Sequence, residues 1–266
     1  MTAERRELLD FALQLAAAAQ DAILPHYQRC AVSLKADGTE VTVADRDAET
    51  AIRTRIERHY PNHAILGEEF GGERQAGAAR QWVIDPIDGT TWFALGMPLF
   101  GTLIALLEDG EPLIGVIHFP VLNETVYAGR GLGCWFRSAH AAATQVRVRP
   151  AVALDQAFVS ASGVHGTDIQ PTSGQAWPLT RLIRGAGRFR SCSDCLQYAL
   201  LCRGNLDVAM DTIMQPWDIA ALVPCIEEAG GVVSNLAGVR ENLIHGGSLL
   251  ASTHPALHTA VLHALN

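Results

Sequence analysis

The chain has 266 residues, 20 Lys and Arg against 28 Asp and Glu, a net charge of −8, and 48% hydrophobic residues. That supplies a core for one large or two small domains. The acidic balance argues against nucleic acid held on a basic surface. No run reaches the ~18 apolar residues a membrane span needs.

Near the N-terminus, Arg5 and Arg6 precede the apolar run Phe11–Ala19, which mimics a short signal peptide. Glu4, Glu7 and Asp10 spoil a basic leader, while Leu8, Ala12, Leu15, Ala19 and Ala22 follow a helical stripe. A first helix is expected over residues 3–29. The six cysteines, Cys30, Cys134, Cys192, Cys195, Cys202 and Cys225, show no disulfide-framework spacing. Cys192 and Cys195 form a C-x-x-C without the second pair that zinc wants or a thioredoxin-like setting. Reduced thiols in a cytoplasmic protein are expected.

From Lys35 to Asp45 a polar turn leads into a strand-like alternation that ends at Asp45. Residues 47–60 read as a helix stopped by Pro61, and Ala64–Gly67 as a short strand ending in Glu68 and Glu69. A polar loop covers 73–80. The run Trp82-Val83-Ile84 reads as a buried strand that Pro86 ends. Three turn-linked strands then follow at 102–107, 113–119 and 124–128, with antiparallel pairing expected. Gly129-Arg130-Gly131-Leu132-Gly133 looks like a dinucleotide loop but opens no helix, so that use is rejected.

The small, polar residues 137–150 look like a boundary, dividing the chain into halves 1–137 and 138–266. The second half alternates strands at 157–160, 206–210 and 231–234 with helices at 177–184, 196–203, 218–229 and 255–265. No internal repeat is visible.

The stretch Asp85-Pro86-Ile87-Asp88-Gly89-Thr90 concentrates the chemistry. Asp85 and Asp88 fall at a strand end and a turn, close enough to share one ion. The amides of Gly89 and Thr90, at a helix start, would welcome a phosphate. Glu68 and Asp218 also fall at element edges, where α/β proteins place sites. Each acid alone has an ordinary reading, Asp218 as a helix cap and Glu68 as a solvated loop end. Four clustered carboxylates would repel one another unless cations neutralise them. All-oxygen ligands suit a hard ion such as Mg²⁺, and there is no His cluster to favour zinc. Metal-assisted phosphate chemistry is the expectation.

Gly67-Glu68-Glu69, Asp85-Pro86-Ile87-Asp88-Gly89-Thr90 and Trp217-Asp218 together resemble the signature motifs of the inositol monophosphatase family, and Lys35–Asp45 resembles its upstream motif. The resemblance spans nearly the whole chain. It implies an α/β fold of five αβαβα layers and hydrolysis of small phosphomonoesters with two or three Mg²⁺ ions, often in a homodimer. By position it implies that Glu68, Asp85 and the carbonyl of Ile87 hold a first ion, and Asp85, Asp88 and Asp218 a second. A third, weaker ion would lean on Glu68. Glu68 and Thr90, with Asp45 behind Thr90, would orient the attacking water, and the Gly89 and Thr90 amides would hold the phosphate.

The flanking runs Phe100–Leu106, Ser193-Asp194-Cys195, Gln215–Pro224 and Gly247–Ala251 resemble the histidinol-phosphatase branch more than the inositol branch. Histidinol phosphate carries an ammonium and an imidazole. Asp194 and Asp211, alongside Asp88 and Asp218, are candidates to meet the substrate. Asp194 reads equally as a helix cap and Asp211 as a solvated strand-end acid. Trp92 departs from the smaller residue usual there and either crowds the substrate or belongs to the core. Arg188 and Arg190 are within range of a phosphate or simply solvated. An inositol phosphate or another sugar or nucleotide phosphate is the alternative substrate, and a non-catalytic binding dimer the alternative class.

Overall fold

The stripe of Leu8, Ala12, Leu15 and Ala19 is the buried face of helix α1 (Thr2–Ile23). The helix is shorter than expected because a 3₁₀ turn at Leu24–His26 replaces it where Pro25 falls. The structure, a computed structural model, describes residues 2–29, 31, 33–34, 40–72, 79–172, 176–192 and 194–266. The expected turn at 35–39, most of the loop at 73–80 and Cys30 lie outside these residues. The five described cysteines are free thiols.

Strands β1 (Ser33–Leu34) and β2 (Glu40–Val41) form a small antiparallel ribbon. Helix α2 (Val43–His59) follows, and this corrects the expectation for Asp45. Asp45 ends no strand. It is the third residue of the helix, and its carboxylate accepts from the Thr42 amide at 2.8 Å while the Ala44 amide donates to Thr42 Oγ1 at 3.1 Å. Thr42-x-x-Asp45 is a reciprocal helix cap, which an alternating pattern disguises.

Strands β3 (Ala64–Gly67) and β4 (Arg80–Asp88) pair in parallel. The short helix α3 (Thr90–Ala94) comes next. Strands β5 (Gly101–Glu108), β6 (Glu111–Phe119), β7 (Glu124–Gly129), β8 (Gly133–Ser138) and β9 (Ala141–Val146) complete a seven-stranded sheet ordered β3 to β9. The pairs from β4 onward are antiparallel, as expected for β5, β6 and β7, while β8 and β9 are strands not expected from the sequence. Pro86 does not end its strand. Pairing with β5 resumes at Asp88 after a shift in register, so the proline sits in a bulge, where no ladder N–H is needed. The boundary placed at 137/138 falls inside β8, and the first sheet continues to Val146.

The second half contains β10 (Phe158–Ala161), α4 (Leu179–Gly185), β11 (Arg188–Arg190), α5 (Asp194–Cys202), β12 (Val208–Asp211), α6 (Pro216–Ala220), α7 (Leu222–Glu228), β13 (Val232–Ser234), β14 (Leu249–Ser252) and α8 (Pro255–Leu265). Its sheet is ordered β11-β10-β12-β14-β13, with β10 parallel to both neighbours. The single helix expected over 218–229 is two helices, α6 and α7. Pro224 has no N–H to give the Ala220 carbonyl, and the break falls there.

Alternation along β5 shows how the layers form. Leu103, Ala105 and Leu107 pack with α5, α6 and α7 in one buried cluster, while Ile104 and Leu106 pack with α1 and α2 in another. A sheet covered on both faces requires such a continuous apolar run. The first of these clusters also takes in Ala209, Val233, Leu249 and Ala251 of the second sheet, and a third cluster joins that sheet's far face to α4 and α8. The result is α1–α2, the first sheet, α5–α7, the second sheet, and α4 with α8: the expected αβαβα sandwich.

Close approach fixes α6 and α7 against the first sheet. A Cβ on Gly115 of β6 would lie 2.1 Å from the Ala221 carbonyl and 2.7 Å from Pro224 Cγ. Gly115→Ala is therefore expected to lower the unfolding free energy by about 1–3 kcal/mol, read from the midpoint of urea denaturation.

Candidate metal and phosphate site

Period-two alternation puts Asp85 on the same face of β4 as Val83, toward the middle helix layer. There it is buried, 1% exposed, and accepts the Ile87 amide at 3.0 Å. Beyond the bulge, Asp88 Oδ2 accepts the Cys195 amide at the start of α5, at 2.6 Å. From α6, Asp218 accepts the Gln215 amide at 2.7 Å. Two elements, β4 from the first half and α6 from the second, thus bring Asp85, Asp88 and Asp218 together, with ligand oxygens all within 4.8 Å of one another. Glu68, on the turn after β3, lines the same cavity, and its carboxylate is near enough to act on Asp85.

Burial, and then the neighbouring carboxylates of Glu68, Asp88 and Asp218, push the Asp85 pKa well above the usual range. Burial, then Asp194 and Asp218, do the same to Asp88, partly offset by the Cys195 amide. Asp218 is raised to about 7, first by burial. These oxygens are hard donors that raise each other's proton affinity, and a hard divalent cation relieves both burial and repulsion. The donor set therefore fits such an ion.

Gly89 caps α3 at φ +87°, a left-handed conformation that glycine adopts without strain. The first N–H groups of α3 have no carbonyl one turn behind them, so this corner can receive an anion. Thr90 Oγ1 donates to the Ile87 carbonyl at 3.1 Å and approaches Asp45 Oδ1 at 3.5 Å. Asp45 is fully buried; burial raises its pKa, opposed by the Thr42 hydroxyl and amide. The cavity between these groups, about 520 Å³, is lined by Glu68, Asp85, Ile87, Asp88, Gly89, Thr90 and Asp218, and by Ile213, Gln215 and Trp217.

Asp194 and Asp211 stand beside this cavity rather than in its lining. Asp194 is the first residue of α5, not its cap. The Ser162 hydroxyl donates to Asp194 Oδ1 at 2.9 Å, and the Asp194 amide donates back to Ser162 at 3.0 Å. Trp92 is half-buried against the α1–α2 layer, close enough to Asp194 to favour its charged form. A Cβ on Gly89 would lie 2.7 Å from Asp194 Oδ2, so this acid backs the anion corner. Burial raises the Asp211 pKa to about 6, and the Ile213 amide donates to Asp211 Oδ1 at 3.2 Å. Arg188 lies over the Phe158 ring, 4.7 Å from its centroid, and Arg190 donates to the Phe189 carbonyl.

Ser162 and Ile213 were not singled out from the sequence. Ser162 follows the carboxyl end of β10, which runs parallel to β12, and that pairing brings it between Asp194 and Asp211. Ile213, 56% exposed at the cavity wall, is an apolar side chain left facing solvent. An exposed apolar residue two positions after a strand-end acid is the one signal that was available.

An acid whose folded pKa lies above its unfolded value gains protons on folding, so stability falls as pH rises between the two values. For Asp218 that window runs from 3.8 to about 7. Metal-free protein is expected to melt at a higher temperature near about pH 5 than near about pH 8, with added Mg²⁺ narrowing the gap. Thermal melts with chelator and with Mg²⁺ measure this.

The model of the inositol monophosphatase family matches residues 4–266. A histidinol-phosphatase from Chlorobaculum parvum is 38% identical over 92% of this chain and 92% of its own length. One from Mycobacterium tuberculosis is also 38% identical, over 88% of each chain. The solved structure of an inositol monophosphatase from Zymomonas mobilis superposes with a TM-score of 0.81 at 29% identity, covering 98% of both chains. The chain belongs to the inositol monophosphatase family and is a phosphoric monoester hydrolase.

Proposed function

We propose that the protein is a Mg²⁺-dependent phosphomonoesterase that hydrolyses L-histidinol phosphate to L-histidinol and phosphate. The observation that carries the metal reading is the convergence of Asp85, Asp88 and Asp218 within 4.8 Å, with Asp85 and Asp88 pushed far above the usual carboxylate range. In this reading Glu68, Asp85 and the Ile87 carbonyl hold one ion and Asp85, Asp88 and Asp218 a second, with a third weaker ion against Glu68. Bound Mg²⁺ supplies positive charge that acidifies water and offsets charge on the transferring phosphoryl group. Glu68 and Thr90 orient the attacking water, and Asp45 accepts from Thr90 behind it. The Gly89 and Thr90 amides receive the phosphate at the α3 start.

The substrate reading draws on the two histidinol-phosphatases that resemble this chain at 38% identity and on its own acids. Asp194, held by Ser162, and Asp211 put negative charge beside the anion corner, where an amino-alcohol phosphate would carry its ammonium. Ile213 offers an apolar contact for a ring. Inositol 1-phosphate, or another sugar or nucleotide phosphate, is the second reading, supported by the likeness to the Zymomonas mobilis structure and by a metal cavity that suits any phosphomonoester. The retained acids count against a non-catalytic binding protein. A cytoplasmic homodimer is the proposed working form, with the first half supplying Glu68, Asp85 and Asp88 and the second supplying Asp218; light scattering tests the dimer.

Asp88→Asn is expected to lower kcat/KM by at least about 100-fold while circular dichroism shows the native fold. Wild-type-like activity would end the metal assignment. Asp194→Asn and Asp211→Asn are expected to raise KM for histidinol phosphate by roughly 10–100-fold, the worth of a charge-assisted hydrogen bond, and to leave KM for inositol 1-phosphate near wild type.

A further inference from the structure

Glu49 is a fully buried carboxylate on α2, one turn beyond Asp45, and the proposed chemistry gives it no part. It is occupied on every side. Its Oε2 accepts the Glu69 amide at 2.7 Å, and its Oε1 accepts the Phe70 amide at 3.3 Å and Arg53 Nε at 2.7 Å. Arg53 also donates to the Gly71 carbonyl through Nη2. One Glu–Arg pair on a helix therefore grips three consecutive residues of the turn that carries Glu68.

The turn is closed on its other sides as well. The Gly67 amide donates to the Gly71 carbonyl at 2.9 Å, and the Glu68 amide donates to Ile84 of β4 at 3.1 Å. Gly67 gives Glu49 its space: a Cβ there would lie 2.0 Å from Glu49 Oε1. The part-buried amides of Glu69 and Phe70 are satisfied by this carboxylate. Without it the turn would have to reorganise or leave those donors unpaired. Because Arg53 neutralises Glu49 at contact distance, the carboxylate acts on Glu68 through geometry more than through its field.

We propose that Glu49, admitted by Gly67 and held by Arg53, is a positioning residue that sets the Glu68 turn for divalent-cation binding. Helix α2 then serves the site twice, with Asp45 beneath Thr90 and Glu49 beneath Glu68. A partner of this kind, which orients a ligand without touching the ion, typically governs affinity by roughly 10–100-fold. The inference rests on the reading of Glu68 as a metal ligand.

The test measures binding of Mn²⁺ alone by calorimetry and amide hydrogen exchange at Glu69 and Phe70. The proteins are wild type, Glu49→Gln, Gly67→Ala and the control Ile52→Val, which trims a buried side chain on the same helix. Glu49→Gln and Gly67→Ala are expected to weaken Mn²⁺ binding by roughly 10–100-fold and to speed exchange of both amides. Ile52→Val is expected to lower the melting temperature and leave affinity unchanged. Gly67→Ala keeps the carboxylate but displaces it, so it carries the test should Glu49→Gln fail to fold. Added to Glu49→Ala, Gly67→Ala should cost no further affinity, since the clash is gone. Unchanged Mn²⁺ affinity in a folded variant whose amides have lost protection would overturn the inference. Failure of the wild type to bind Mn²⁺ would instead overturn the metal reading, and this inference with it.

Discussion

Repulsion among closely packed carboxylates is the constraint on which the rest of this structure depends. Asp85, Asp88 and Asp218 are brought within 4.8 Å by a strand, the end of its bulge, and a helix from the other half of the chain. Each is satisfied by one backbone amide, from Ile87, Cys195 or Gln215, so none is free to turn away. The amides fix direction without removing the charge. A site built this way is destabilised when ionised and empty, and cation binding reverses that penalty.

The sandwich makes this arrangement possible. A strand buried on both faces cannot place an acid in its interior at low cost, so the acids sit where β4 stops being regular. Pro86 creates that irregularity. Its bulge returns Asp88 to the ladder, and the next residue, Gly89, adopts the left-handed conformation that opens α3. One short stretch thereby turns two carboxylates and a helix start toward the same cavity. The second half closes the site through α5, whose Cys195 amide reaches Asp88 and whose Asp194 carboxylate backs Gly89, and through α6, which carries Asp218.

Much of this was legible in the sequence. The spacing of Asp85, Asp88 and Gly89, and the edges at Glu68 and Asp218, pointed to a common site because strand ends and helix starts are readable from periodicity. Asp45 was expected at a strand end and lies in a helix: Thr42-x-x-Asp45 is a helix cap written over an alternating pattern. The continuation of β4 past Pro86 was hidden because a bulge depends on its partner strand. Ser162 and Glu49 were invisible for a similar reason. Their importance comes from contacts over 32 residues and from about 20 residues away in sequence, and only parallel pairing and the folding of the Glu68 turn onto α2 create those contacts.

The central claim is that these converging acids hold Mg²⁺ for hydrolysis of a phosphate ester that also carries an ammonium. The most direct measurement is phosphate release with Mg²⁺ from histidinol phosphate, inositol 1-phosphate, fructose 1,6-bisphosphate and an adenosine bisphosphate side by side. The account predicts Mg²⁺-dependent release with a clear kcat/KM preference for histidinol phosphate. Preference for inositol 1-phosphate, or none, would contradict the substrate reading, and undiminished release in the presence of chelator would contradict the metal site itself.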